Sequence, residues 1–570
     1  MTSKTIGLIG GGPAALFMYK RLTESGDNDI HIHIFEKNEL LGVGMPYGKY
    51  GAREEHITNV SGNEIPFIKA EMHDWIYKAP AEMREQFQID PASFNDYKVV
   101  PRLLFGAYLA DQFEALQRAA RAKGIVTTIH LNTRVTDIHD HKNEIIVFTA
   151  DDKRYHFTEI VICTGHYWPK NNEGKVPNWF DSPYPPQKLA QSINYPVAIK
   201  GSALTAIDAV RTLARSNGYY TKNEDHTLKY TLDEKSAGFK MYMHSLDGLM
   251  PAIRFHLEDT HLSQGEMIGE EEGWAIKKEH GGFIPLDLIY ERNFLLPLKK
   301  QQPEFYEKVR HLSIEAFVEH MMQLREKLDG FTLFKAEYRE AQQSIKRKES
   351  VAWKEMLATL SYAMNYPAKH LSAEDMLRLK KVLMPLISII IAFVPQSSCR
   401  ELLALHDAGV LDLVAVDRKS KVERSFEGAV YHYTDAEGKE VTQHYKMYID
   451  ATGQPQFMYD DFPFNGLKET GSISAAYINF KDAAAGKAEQ DSGNKQVAKD
   501  SQGNYYLKVP GLQINDHFQV LDKAGAYNNR VYIMAVPFIG GLNPDYSGLD
   551  FCEAASERIV KAMHSEVMAE

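Results

Sequence analysis

Six residues near the N-terminus have the spacing of a dinucleotide-binding turn. The run Gly10-Gly11-Gly12-Pro13-Ala14-Ala15 has the form G-x-G-x-x-A. The first glycine permits a tight bend, the second lets a pyrophosphate approach the backbone, and the small third residue lets a helix pack on a strand. Glu36 ends the next predicted strand, near the expected spacing of roughly 20 residues, and can accept hydrogen bonds from an adenosine ribose. Together they predict a dinucleotide site.

A second turn of this kind starts at Gly201, where Ala203 replaces the second glycine. The added methyl group is expected to weaken or displace a pyrophosphate. The next predicted strand ends in Leu246-Asp247, and a carboxylate there suits the free 2′-hydroxyl of NADH and repels the 2′-phosphate of NADPH. The candidate residues for a nicotinamide nucleotide are Gly201, Ser202, Thr205 and Asp247. Three interpretations stay open: NADH use, weak use of either nucleotide, or a vestigial domain; the first two are favoured.

The elements around both turns alternate between strand and helix. Residues 4–9 and 29–36 have strand patterns and 13–24 a helical one, which predicts a parallel sheet with a right-handed crossover. Further predicted strands are 127–138, 144–149, 159–164, 196–200, 239–244, 411–416, 445–449 and 531–536. Further predicted helices are 102–123, one that follows the second glycine turn and ends at 215, and 548–568. Residues 287–381 have long charged helical stretches and few β-branched runs, whereas the small polar run 481–503 predicts a loop.

Two strand ends favour FAD over NAD at the first turn. Residues 159–165 end in Cys-Thr-Gly and residues 448–453 end in Asp-Ala-Thr-Gly. Such pieces resemble the crossings between domains in flavoproteins with two dinucleotide-binding domains. In many of these proteins the last helix points its N-terminus at the flavin, where the helix dipole stabilises negative charge. Gly548, Leu549 and Asp550 take that place here, and Asp550 is as well explained as a residue of the first helical turn.

Four motifs carry a narrower resemblance. They are Gly42-Val43-Gly44-Met45-Pro46-Tyr47-Gly48, His56-Ile57-Thr58-Asn59-Val60, Pro101 to Leu109, and Cys163-Thr164-Gly165-His166. With these motifs, residues 4–169 resemble the FAD-NAD(P)-binding protein family, which is related to flavin monooxygenases and amine N-hydroxylases.

This resemblance implies an FAD site. The residues expected to bind FAD are Gly10, Gly12, Pro13, Ala14, Ala15, Glu36, Lys37, Met45, Pro46, Asn59, Val60, Arg102, Val135, Thr164, Gly165, Gly548 and Leu549. The 45–47 and 59–60 loops would lie near the flavin ring, and Arg102 would reach the ribose or pyrophosphate. Tyr47, Asn59 and His166 are the candidate catalytic residues.

The fold class implied is α/β, with two Rossmann-like dinucleotide-binding domains and an all-helical insertion. The FAD domain is split and the NAD(P)-type domain is inserted into it. The expected boundaries are 1–195 and 446–570 for the FAD domain, 196–286 and 396–445 for the NAD(P)-type domain, and 287–395 for the insertion.

Composition narrows the class of protein further. The chain has 570 residues, a net charge of −11 and only three scattered cysteines. The acidic balance gives no footprint for nucleic acid, and the cysteine count excludes a C-x-x-C redox pair or a cysteine-rich metal site. The apolar run 382–395 is short and interrupted by proline, so it is predicted to be core rather than a membrane span. A cytoplasmic protein is expected, with no membrane insertion; a homo-oligomer stays open.

Several polar residues are not expected to form sites. His31 and His33 lack nearby acidic or cysteine ligands, so no metal site is predicted. The run 270–272 is expected to be a solvated acidic turn, with a position at a substrate entrance as the alternative. Arg254, His256 and His261 are expected on an exposed loop, with substrate contact as the alternative.

The implied function is that of an FAD-dependent oxidoreductase. In the leading interpretation NADH or NADPH reduces FAD, and a flavin C4a-hydroperoxide then oxygenates a small-molecule substrate with O₂. One alternative is a reductase or dehydrogenase without oxygen insertion. Another is a flavoprotein with a decayed nicotinamide site and a binding role.

Overall fold

The computed structural model describes residues 4–141, 143–224, 227–246, 248–257, 267–543 and 545–565. Two parallel sheets and a block of helices make up most of this mixed α/β chain, which confirms the predicted fold class. The larger apolar core joins the first sheet to the helical block, and a second core lies around the second sheet.

The first sheet brings the N-terminal strand to its centre. Across the sheet the strands are Gln519–Leu521, Tyr527–Ile533, Glu159–Ile162, Lys4–Ile9, Ile30–Phe35 and Val126–His130, all parallel except the first. Ile9 lies opposite both Phe35 and Ile162. Because three strands end level with one another, the first glycine turn, Glu36 and Thr164 meet at the carboxyl edge of the sheet, where α/β proteins bind their ligands.

The second sheet repeats this arrangement. Across it the strands are Trp179–Phe180, Met447–Asp450, Pro196–Lys200, Lys240–Leu246 and Leu411–Val416, all parallel. Lys200 lies opposite both His244 and Asp450. Met447–Asp450 pairs here, whereas we expected the chain to return to the first domain from residue 446; its backbone bonds to Pro196–Lys200 hold it in the second sheet.

Helices cover the sheets and form the block, which we define as residues 270–391. Outside the block they are Pro13–Glu24, Met72–Lys78, Ala81–Gln86, Arg102–Ala122, Leu204–Asn217, Gln396–Asp407, Asn465–Glu469, Ala483–Asp491 and Gly548–His564. Inside it they are Glu270–Glu279, Leu286–Tyr290, Leu296–Gln301, Pro303–Val309, Ile314–Glu326, Gly330–Arg347, Ala352–Ala363, Ala373–Arg378 and Met384–Ile391. The acidic run at 270–272 therefore begins a helix, which corrects the expected turn.

Two π-helical turns lie inside the block. They are Glu291–Leu295 and Leu379–Leu383, and each runs into a helix with proline at its second residue, Pro297 or Pro385. Proline supplies no amide proton and its ring crowds the preceding turn, so the wider turn relieves the clash.

Small antiparallel sheets complete the chain. They are Val135–His141, Glu144–Thr149 and Arg154–Phe157; Lys421–Arg424, Ala429–Thr434 and Glu440–Tyr445; Ala475–Asn479, Tyr505–Leu512 and Val497–Lys499; Gly218–Lys222 and Leu228–Leu232; and Ile57–Ser61 and Val99–Pro101. The predicted single strand 127–138 is wrong, because Asn132 adopts a left-handed conformation, φ 51°, and divides it in two.

The apolar run 382–395 is core, as predicted, since Leu386, Ile387 and Ile390 are fully buried. Across the described ranges, every helix is too short or too polar to cross a bilayer.

Candidate functional site

The first glycine turn presents an open helix end. Gly10 has φ +109°, and a Cβ there would lie 2.8 Å from the Cys163 carbonyl oxygen, so only glycine fits. Gly12 precedes the helix Pro13–Glu24, whose N-terminus has no side-chain cap and no acidic residue in its first turn. Its free amides and positive dipole end therefore suit an anion.

The Glu36 carboxylate stabilises this turn by accepting a hydrogen bond from its backbone. Its Oε2 accepts a hydrogen bond from the Gly11 amide at 2.9 Å, and its Oε1 accepts one from the Asn38 amide at 2.8 Å. The neighbouring Thr164 hydroxyl is buried and has no hydrogen-bond partner among the described residues. An uncapped helix end, a buried carboxylate and an orphaned hydroxyl are the groups that would hold the pyrophosphate and ribose of FAD, so the donor set fits that cofactor.

The glycine-rich loop at 42–48 packs tightly on this turn. Gly44 lies so close to Gly12 that a Cβ on Gly12 would approach its Cα to 3.2 Å. The Tyr47 ring packs edge-on against Phe105 at 4.8 Å between ring centroids, and burial raises the pKa of its hydroxyl to about 12. Tyr47 and Gly44 line a separate cavity of about 190 Å³ beside the helix Arg102–Ala122. Tyr47 is thus neutral at ordinary pH.

A second cavity, about 170 Å³, lies where the helical block meets the final helix; we call it the junction cavity. Asn59 and Val60 line one side of it, and Gly548 and Leu549 line another. The structure therefore brings together four residues that the sequence predicted around the flavin ring, from opposite ends of the chain. Residues of the block and its end close the remaining side; they are Ala358, Ser361, Tyr362, Ile391 and Phe393.

Arg254 fixes the Asn59 side of the junction cavity. Its guanidinium is buried and donates to the Asn59 carbonyl, the Ser61 hydroxyl and the Glu64 carboxylate. Arg254 and His256 are each only 6% exposed, so the expectation of an exposed loop is wrong for both. His261 lies outside the described residues. Sequence reasoning named Arg254 but preferred an exposed loop to a role in the site, since its partners lie almost 200 positions earlier in the chain.

The second glycine turn has nearly the same backbone as the first. Gly201 also has φ +109°, and a Cβ there would lie 2.8 Å from the Ala451 carbonyl oxygen. Ala203 has φ −82° and ψ −170°, against −81° and −162° for Gly12. The Ala203 methyl group is therefore accommodated without strain, and the helix Leu204–Asn217 also starts without a side-chain cap.

The surroundings of the second turn differ from those of the first. The Ser202 and Ser245 hydroxyls both donate to the Leu249 carbonyl at 2.8 Å. Leu246 is 51% exposed where the strand ends, and Asp247 lies outside the described residues. Thr205 lies in the first turn of the helix that follows. The geometry of a nucleotide turn is thus retained, while its hydroxyls are bonded to the protein itself.

Two crossover segments connect the sheets and lie side by side. The Gln454 amide oxygen lies 3.2 Å from His166 Nδ1 and accepts from the Tyr167 amide at 2.9 Å. The Trp168 indole donates to the Gly453 carbonyl at 2.9 Å. Burial lowers the pKa of His166, so its imidazole is neutral at neutral pH. His166 is engaged by the crossover rather than by the junction cavity.

A buried cluster of polar side chains connects the helices that pack on the two sheets. Arg102 Nη1 donates to Asp208 Oδ2 at 2.5 Å, and the Tyr184 hydroxyl donates to the same oxygen at 2.6 Å. His56 Nε2 lies 3.1 Å from the Thr212 hydroxyl. Arg102 starts a helix of the first domain, whereas Asp208 and Thr212 lie on the helix of the second turn. Arg102 thus contacts a carboxylate of this chain where the resemblance implied a ribose or pyrophosphate.

The other predicted residues lie around the first turn. Pro13, Ala14 and Ala15 form the first turn of the helix, and Gly165 follows Thr164 on its exposed side. Lys37 is exposed, and Val135 begins the strand after the first sheet's edge. Met45 and Pro46 lie half-buried in the glycine-rich loop. In the described part of the chain, no three metal-ligating side chains are grouped together, and His33 instead contacts His130 Nε2 at 3.1 Å.

The chain has two mainly parallel sheets, and each carries a glycine turn at its carboxyl edge. This is the architecture of a protein with two Rossmann-like dinucleotide-binding domains. Residues 7–167 match the model of the FAD-NAD(P)-binding family, and residues 270–391 match that of the YdhS-like middle domain. The resemblance predicted from the N-terminal motifs is thereby confirmed. The second match coincides with the helical block.

Similarity to known proteins extends over most of the chain. The uncharacterized protein YdhS of Escherichia coli K12 is 26% identical over 473 residues, which are 82% of this chain and 86% of that protein. An ornithine N-hydroxylase of Kutzneria sp. 744 is 12% identical, with 99% of each chain covered and a TM-score of 0.45. The ornithine hydroxylase PvdA of Pseudomonas aeruginosa is 10% identical, with 99% of this chain and 100% of that chain covered and a TM-score of 0.46.

Proposed function

We propose that the protein is an FAD-dependent oxidoreductase that is reduced by a nicotinamide nucleotide and oxygenates a small-molecule substrate with O₂. The junction cavity carries this proposal, because it combines the two predicted ring-side segments, Asn59–Val60 and Gly548–Leu549. The fit of the first turn's donor set to FAD supports it as well.

The chain's own residues have defined tasks in this proposal. Bound FAD would supply the two-electron chemistry and the reaction with O₂. The open helix end after Gly12 and the Glu36 carboxylate hold the dinucleotide. Arg254 orients the Asn59 backbone, and the helical block closes one side of the junction cavity. The cavity is small, which favours a small substrate group at the reacting position.

NADH is the favoured reductant. Leu246 offers no positive charge to a 2′-phosphate where the strand of the second sheet ends. The retained backbone of the second turn supports a working nucleotide site over a vestigial one. All three cysteines are buried, and burial raises the pKa of each thiol, so a thiol-based disulfide reductase is disfavoured.

Anaerobic mixing of the FAD-reconstituted protein with NADH or NADPH tests this function. We expect NADH to bleach the flavin absorption, with a preference over NADPH on the order of tenfold. The reason is that Leu246 offers the 2′-phosphate of NADPH no charge-assisted hydrogen bond, and one such bond is worth about 1.5–3 kcal/mol. Admission of O₂ with a substrate panel should then give oxygenated product. Hydrogen peroxide without product would point to a reductase, and a flavin that neither nucleotide bleaches would contradict the proposal.

A further inference from the structure

The junction cavity has a carboxyl pair at one end. Asp545 and Asp550 both line it, on either side of the turn that starts the final helix. A Cβ on Gly548, whose φ is +82°, would lie 2.5 Å from Asp550 Oδ1, so the Asp550 carboxylate folds back over the helix start. The positive end of this helix dipole therefore already faces one negative charge.

Among the residues that the structure describes, the Asp545 carboxyl has no cationic partner. No Lys, Arg or His side chain lies within ion-pair distance of its carboxyl in the described ranges. Glu64, the other acidic group of the cavity, is paired with the Arg254 guanidinium. A second carboxylate beside Asp550 in a partly enclosed cavity would be costly, and sharing a proton removes that cost.

The helix Ala352–Ala363 presents polar groups to the same place. The Ser361 side chain lines the cavity, is 2% exposed and lies close enough to the Asp545 carboxyl to lower its pKa in part. Tyr362 follows it, and burial raises the pKa of its hydroxyl, so it is neutral. The Ser361 hydroxyl therefore adds a buried polar group at the Asp545 end of the cavity.

We propose that Asp545 holds a proton in the junction cavity and donates it to the negative charge that develops there during the proposed reaction. The inference rests on the proposed function. A dihydronicotinamide would give up a hydride, which is two electrons and one hydrogen, and would leave as a cation. One net negative charge would then remain in the site that the cavity lines. The Asp545 O–H bond breaks, its proton neutralises that charge, and the Asp545 carboxylate is reprotonated from solvent.

The surroundings of Asp545 raise the pKa of its carboxyl. Burial first, and the Asp550 carboxylate second, raise the pKa of Asp545 to about 8. Asp545 is therefore mainly protonated at pH 7 and becomes charged above pH 8. The Asp550→Asn substitution removes the like charge and should move this titration to lower pH.

Infrared pH titration of the full chain without FAD tests where the proton is. We expect a protonated-carboxyl band that is lost with a midpoint near pH 8, is absent in Asp545→Asn and titrates at lower pH in Asp550→Asn. Glu557→Gln, on the same helix but 68% exposed at its side chain, is the matched control and should leave the band unchanged. A band that persists in Asp545→Asn overturns the assignment.

Anaerobic reduction of the FAD-loaded protein tests the donation. We expect the wild-type rate to fall above pH 8, and the Asp545→Asn rate to be about 10–100-fold lower and independent of pH from 7 to 9. An Asp545→Asn rate equal to the wild type overturns the donation. If the infrared band behaves as expected but neither nucleotide reduces the cofactor, the proposed function fails and the donation with it, while the proton stays assigned to Asp545.

Discussion

The Gly12→Val variant is expected to lose FAD binding by at least about 100-fold while keeping its fold. Gly12 has φ −81°, which any residue tolerates, and an added Cβ would meet the Gly44 Cα at 3.2 Å, a tight contact that a shift of a few tenths of an ångström in the glycine-rich loop relieves. The branched side chain would instead occupy the approach to the helix end where the pyrophosphate is held. A 100-fold loss corresponds to about 2.8 kcal/mol, and titration with FAD followed by flavin fluorescence measures it.

Ala203→Val is the matched control for this prediction. Ala203 has the same backbone conformation in the second turn, φ −82° and ψ −170°. We expect this variant to bind FAD like the wild type and to be reduced more slowly by NADH. Circular dichroism checks that both variants fold. Wild-type FAD affinity in a folded Gly12→Val protein would contradict the placement of the pyrophosphate.

The Asp208→Ala variant is expected to lower the free energy of unfolding by about 3–5 kcal/mol. Asp208 is 5% exposed and accepts hydrogen bonds from both Arg102 and Tyr184. Its removal leaves the Arg102 guanidinium buried between the two domains with the Ile57 carbonyl as its remaining acceptor among the described residues. Urea unfolding followed by tryptophan fluorescence measures the change.

An exposed ion pair provides the comparison. Lys335 and Asp407 also join separate helices, at 2.8 Å, but their side chains are 43% and 61% exposed. Solvent screens such a pair, so Lys335→Ala should cost no more than about 1 kcal/mol. Equal losses in the two variants would show that the buried cluster does not hold the domains together.

Local pattern was enough to predict the strands and turns that build both nucleotide edges. The segments Lys4–Ile9, Pro13–Glu24 and Pro196–Lys200 were predicted with their observed bounds. The glycine of a tight turn, the apolar residues of the strand and the following helix are near neighbours in sequence. The local sequence pattern therefore predicts them without knowledge of the tertiary fold.

Contacts between distant segments were not predictable in this way. Arg254 contacts the Asn59 carbonyl, Asp208 contacts Arg102, and Gln454 contacts Tyr167, each across more than 100 positions. Nothing in the local pattern around Arg254 distinguishes a buried guanidinium from an exposed one. Its partner becomes evident only when the second sheet packs against the first.

The small and polar composition of residues 481–503 led to a wrong prediction of their secondary structure. Residues 481–503 were predicted to form a loop, but the structure has the helix Ala483–Asp491 and the strand Val497–Lys499 there. Asp482 caps the helix by accepting from the Ala484 amide, and a Cβ on Gly486 would collide with Tyr505. The small residues therefore permit close packing against the neighbouring strand.

The most direct test of the central claim is an experimental structure of the protein with FAD. The account predicts the pyrophosphate at the helix end after Gly12, the adenosine ribose near Glu36, and the flavin ring at the junction cavity between Asn59–Val60 and Gly548–Leu549. Density for FAD at the second turn alone, or a ring outside the junction cavity, would contradict it.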